Sequence, residues 1–120
     1  MQATDYVTIE KFEPYEIPGK PWGTELVFAQ TAKYLGKILW MKEGHGGAFQ
    51  YHETKDETFY LLSGKATVRY KDEKGGVCEV PMSAGESYHV PVGAAHQVTA
   101  DTDCVFVEAS LPVFDDRKPA

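Results

Sequence analysis

Apolar and polar residues alternate singly through residues 65–72. Ala66, Val68 and Tyr70 fall on one side and Lys65, Thr67 and Arg69 on the other, the period of two that marks a half-buried strand. The run YLGKILWMK at 34–42 is apolar almost throughout and rich in strand formers, so a strand covered on both faces is expected there. Further strands are expected at 25–30, 50–52, 57–63, 76–81, 86–91, 96–100 and 103–110. Turn signals separate them: Lys20-Pro21-Trp22-Gly23, the polar run Glu53–Asp56 read as a hairpin loop, Gly64, Lys74-Gly75-Gly76 and Pro91-Val92-Gly93. No stretch carries a helical period. Short strands punctuated this way predict an all-β antiparallel sandwich or barrel, occupying residues 20–112. Residues 1–19 read as an N-terminal arm with one short strand at 6–9, packed on a neighbouring subunit, and 113–120 as a C-terminal tail.

Length and charge narrow the possibilities. A chain of 120 residues builds one core and not two. Lys and Arg number 12 against 18 Asp and Glu, a net charge of −6, and Arg69 and Arg117 are the only arginines. That excludes nucleic acid or an anionic membrane as the main partner and leaves a small molecule. Two cysteines, Cys78 and Cys104, show no zinc-finger spacing, and neither a signal peptide nor a membrane-spanning run is visible, so a cytoplasmic protein with two reduced thiols is expected.

The candidate chemistry lies between Gly44 and Gly64. Gln50 and His52 are two apart and leave the same face of a strand, and Glu57 opens the returning strand across from His52. A second stretch supplies His96. Two imidazoles, a carboxylate and an amide oxygen suit one divalent transition metal per chain: Mn, Co, Ni, Zn or Fe. The spacing Gly44-x5-Gln50-x-His52-x4-Glu57-x6-Gly64 resembles the first cupin motif, with Gln in place of that motif's first His. Gly85-x5-Pro91-x-Gly93-x2-His96 resembles the second, with Ala100 where Asn is usual. The resemblance implies a jelly-roll barrel with the metal inside it, in a chain that pairs as a homodimer.

A closer resemblance covers most of residues 20–116. Lys20-Pro21-Trp22-Gly23, Gln50-Tyr51-His52 with Glu57, and Pro91-x-Gly93-x-x-His96 are similar to the cupin domain of the mannose-6-phosphate isomerase type linked to guanylyltransferases. The phrase from Lys55 to Gly64 and the closing Glu108-x-Ser110-x-Pro112 with Asp115-Asp116 are similar to small stand-alone cupins that resemble that isomerase. It implies Gln50, His52, Glu57 and His96 as metal ligands and an isomerase-like reaction on a small sugar or sugar phosphate. The alternatives are an iron-dependent dioxygenase using the same ligands and a non-catalytic binding module for a sugar-like compound. His89 is the candidate general base, while Trp40, Phe59 and Arg69 are candidate substrate contacts. Lys20, Lys42 and Arg117 are the other cations considered for a phosphate clamp, and His45 reads as an exposed turn histidine.

Overall fold

The computed structural model describes residues 7–120, which form eleven strands and no helix. In chain order these are β1 (Tyr15–Ile17), β2 (Gly23–Gln30), β3 (Leu35–Met41), β4 (Gln50–His52), β5 (Glu57–Ser63), β6 (Lys65–Lys71), β7 (Val77–Ser83), β8 (Ser87–Val90), β9 (His96–Ala100), β10 (Cys104–Ser110) and β11 (Arg117–Pro119). They make two facing antiparallel sheets, six strands ordered β1-β2-β3-β10-β5-β8 and five ordered β11-β4-β9-β6-β7. This is a jelly-roll barrel: the strand pattern implied a sandwich or barrel, and the motif resemblance this form of it.

The period-two pattern decides which residues fill it. Ala66 and Val68 of β6, Phe59 and Leu61 of β5, and Cys104 and Phe106 of β10 turn inward and are buried together with Met41, Met82 and Ala100. β10 lies at the centre of its sheet, paired over its whole length with β3 on one side and with β5 on the other. Cys78 on β7 and Cys104 on β10 are free thiols in different sheets.

Two expectations are corrected here. Residues 53–56 do not close a hairpin, because β4 pairs with β11 and β9 while β5 pairs with β10 and β8. The segment is a crossover between the two sheets. Of the strand expected at 6–9, Tyr6 lies outside the described residues. Val7–Ile9 forms no strand and is solvent-exposed, with Ile9 97% exposed, because none of the described residues packs on it. The arm instead contributes β1 as an edge strand, and the tail contributes β11.

Candidate metal centre and its cavity

Three strands and one turn build the centre. β4 and β9 are neighbours with Gln50 opposite His96, so both histidines come from the inner face of the five-stranded sheet. Glu57 reaches across from the facing sheet. Gly93, at φ +84°, makes the turn before β9 and donates its N–H to the His52 carbonyl at 2.9 Å, which ties the two histidine stretches together. Gly64, at φ +100°, closes the other end of β5, where a Cβ would meet the Asp103 carbonyl at 2.3 Å.

The Nε2 atoms of His52 and His96 stand 3.5 and 3.4 Å from Glu57 Oε1, and all three residues are buried. One ligand atom from each lies within 4.8 Å of the others. Each ring is held from behind. His52 Nδ1 donates to Asp116 Oδ1 at 2.9 Å, and His96 Nδ1 to the Ala94 carbonyl at 2.9 Å. Protons fixed on Nδ1 leave the Nε2 lone pairs aimed inward, the tautomer that a metal needs. Two imidazole nitrogens and a carboxylate, buried and convergent, fit a divalent transition ion. Gln50 lines the same cavity, two residues along the strand from His52.

Charge is arranged to match. The Glu57 carboxylate raises the His52 pKa, with Asp116 adding to it against the opposing effect of burial. Burial pushes the Glu57 carboxyl up, but His52, His96 and Lys55 together hold it far below the usual carboxylate range. Asp116 is also held low despite burial, because the Thr54 and Lys55 amides and His52 all donate to it. Beyond Glu57, the Lys55 ammonium bridges Glu57 at 3.1 Å and Glu108 at 3.0 Å. Burial, and next the Glu57 charge, push the Glu108 carboxyl upward. Further along the wall Lys37 meets Glu25 at 2.7 Å, with Lys20 at 3.5 Å on Glu25's other oxygen. These groups face one cavity of about 360 Å³, whose apolar wall includes Trp22, Leu39 and Met41.

The structure gathers Gln50, His52, Glu57 and His96 around one cavity, with Phe59, Lys20 and Arg117 at its walls, but leaves His89, Trp40, Arg69 and Lys42 outside it. His89 is on the outer face of β8, exposed and bonded to Asp56 at 2.6 Å, because β8 turns Tyr88 and Val90 inward. Trp40 likewise points out of β3, between inward Leu39 and Met41. Arg69 lies on the outer side of β6, bonded to Gln97 at 2.8 Å and set over the Phe49 ring. Phe59 is buried in the apolar floor beneath Glu57 and His96. Of the clamp candidates, Lys20 and Arg117 line the cavity, Lys42 does not, and His45 is exposed.

Sequence reasoning passed over Lys37, Lys55 and Glu25 and gave no role to Glu108 or Asp116. A signal existed for two of them. Lys37 shares its phase with Leu35, Leu39 and Met41, and Glu108 with Cys104 and Phe106, so both sit on inward positions of strands. A charge at an inward position requires a buried partner.

Comparison with known proteins agrees with this architecture. Residues 38–110 match the family model described as Cupin domain. Mannose-1-phosphate guanylyltransferase 2 of Escherichia coli O157:H7 is 32% identical over 79 residues, 66% of this chain and 15% of that protein. Glucose-6-phosphate isomerase of Thermococcus onnurineus (strain NA1) is 30% identical over 101 residues, 80% of this chain and 51% of that protein. The chain thus spans about half the length of the isomerase and a small part of the guanylyltransferase. Among solved structures, the capsular polysaccharide assembling protein CapF from Staphylococcus aureus superposes with a TM-score of 0.77 at 24% identity, over 91% of this chain and 32% of that one, a likeness of fold.

Proposed function

Because this chain belongs to the Cupin domain family, we propose that it is a metal-dependent, isomerase-like enzyme acting on a small sugar or sugar phosphate. The observation that carries the reading is the buried His52–Glu57–His96 cluster at the head of a cavity walled by paired acids and lysines. Gln50, His52, Glu57 and His96 are the proposed ligands of one divalent ion, Mn, Co, Ni, Zn or Fe. With a single carboxylate among four donors, a bound ion keeps net positive charge and polarises a carbonyl or hydroxyl oxygen.

The chain's own groups supply the rest. Trp22, Leu39 and Met41 offer the apolar face of a sugar a dry wall, with Phe59 beneath. Lys55 and Ser110 hold Glu108 Oε2 at 3.0 and 3.3 Å, beside the cluster. In place of the outward His89, Glu108 is the proposed group that takes a proton from one carbon and returns it to the next. Lys55 keeps it oriented throughout.

We further propose a homodimer. The outer face of the six-stranded sheet exposes Phe28, Trp40, Tyr60 and Leu62, with Val105 and Val107 between them by register. Strand spacing gives that face about 500 Å², enough for a modest interface with a second copy. The two free thiols suit the cytoplasm, and no helix of the described residues is long and apolar enough to cross a membrane.

The test is solvent deuterium incorporation in D₂O, followed by NMR at the carbons flanking the carbonyl of D-mannose, D-glucose, D-fructose and their 6-phosphates. It is run with Mn, Co, Ni, Zn and Fe(II), with and without oxygen. Exchange that needs metal but not oxygen supports the isomerase reading. Oxygen uptake confined to Fe(II) would instead favour a dioxygenase, and ligand-induced stabilisation without exchange a binding module.

A further inference from the structure

Glu25 is 5% exposed, lines the cavity, and takes no part in the metal cluster or the Lys55–Glu108 pair. Its Oε1 accepts from Lys37 Nζ at 2.7 Å. Its Oε2 is the only buried side-chain oxygen among the described residues without a hydrogen-bond partner. Lys20 Nζ, at 3.5 Å, supplies charge but no hydrogen bond to it. Buried polar atoms are nearly always satisfied, so an orphan carboxylate oxygen on a cavity wall calls for a donor that the described residues do not supply.

We propose that Glu25 Oε2 reads a hydroxyl at the part of the ligand remote from the metal-binding oxygens, and so selects an uncharged polyol end over a phosphorylated one. The inference deepens the sugar reading above and rests on it. The ammonium of Lys37 is already matched by Glu25 on one side and capped by the Phe114 ring, 5.1 Å away, on the other. A terminal phosphate there would face a carboxylate whose two flanking cations, Lys37 and Lys20, already stand against it, whereas a hydroxyl donates directly. Trp22 beside it covers the apolar face of the same ligand.

Mn(II)-loaded protein titrated by calorimetry with D-mannose, D-glucose, D-fructose and their 6-phosphates tests this. At least one free sugar is expected to bind, about tenfold or more tighter than its phosphate. Glu25→Gln should weaken that sugar about ten- to a hundredfold, as for loss of a charged hydrogen bond, and narrow the preference over the phosphate while metal content stays full. Should Glu25→Gln not fold, Glu25→Asp keeps the charge on a shorter arm and should weaken the free sugar while preserving the preference. Tighter binding of the phosphate by the native protein, or no effect of either variant on sugar affinity, overturns the role of Glu25 alone. If none of the six compounds binds the loaded native protein, the sugar reading itself falls, and this inference with it.

Discussion

Replacing Asp116 by Asn tests how the centre is tuned. Asp116 Oδ2 accepts from the Thr54 amide at 2.8 Å, the Thr54 hydroxyl at 3.0 Å and the Lys55 amide at 2.8 Å, and Oδ1 from His52 Nδ1 at 2.9 Å. An asparagine must put its single oxygen toward the two backbone donors, which cannot turn away. Its NH₂ then faces His52 Nδ1 and drives the ring proton to Nε2, the atom that should bind metal. Asp116→Ala removes all four bonds but leaves Nδ1 free to keep its proton by donating to water. Asn should therefore weaken metal binding more than Ala, by about 10- to 100-fold relative to native, or about 1.4–2.7 kcal/mol. For folding the order reverses, and Ala should lower the melting temperature by about 4 °C or more beyond Asn. Competition of Zn(II) or Co(II) against a chromophoric chelator, with thermal melts of the metal-free proteins, measures both. Native-like metal affinity in Asp116→Asn, or an Ala variant that binds metal worse than Asn, would refute the tautomer argument.

Further outcomes follow from the same geometry. His52 has a raised pKa in the folded chain, so its charged form contributes stability that is full below about pH 6.5 and lost as pH rises through the higher folded value. Metal-free protein should thus melt lower at pH 8.5 than at pH 6, whereas metal affinity should rise over that interval as the proton ceases to compete; a flat melting profile would contradict the pairing with Glu57. Gln50→Ala should weaken metal binding less than His52→Ala or His96→Ala, and His89→Ala should leave metal stoichiometry unchanged, all read by elemental analysis after gel filtration. Leu62→Glu on the outer face should shift sedimentation from dimer to monomer at micromolar concentration, and a native protein that already sediments as a monomer would end the pairing proposal.

Much of the fold was legible because strands advertise themselves by alternation, and β6 is laid out in the sequence as it is in space. The convergence of Gln50, His52, Glu57 and His96 was legible from spacing, since turns of fixed length before and after each strand set which face a residue takes. The partition into sheets was not, because a short polar link is as compatible with a hairpin as with the crossover that separates β4 from β5. The phase of β8 was misread for a similar reason. Four residues between two turns do not say which pair faces inward, and only packing against β5 turns Tyr88 in and His89 out. Lys37 was hidden by its neighbours, since a run apolar on both faces conceals which positions are inner, and the outward direction of Trp40 was concealed with it.

The bond between His52 and Asp116 joins positions 64 residues apart. The ring's support therefore comes from the far end of the described chain, well after the strands that carry His52, Glu57 and His96. β11 pairs with β4 through Arg117 opposite His52, so the strand beside the ring also holds Asp116 behind it. Cutting the chain before Asp116 would thus take away the ring's rear support without removing any strand that carries His52, Glu57 or His96.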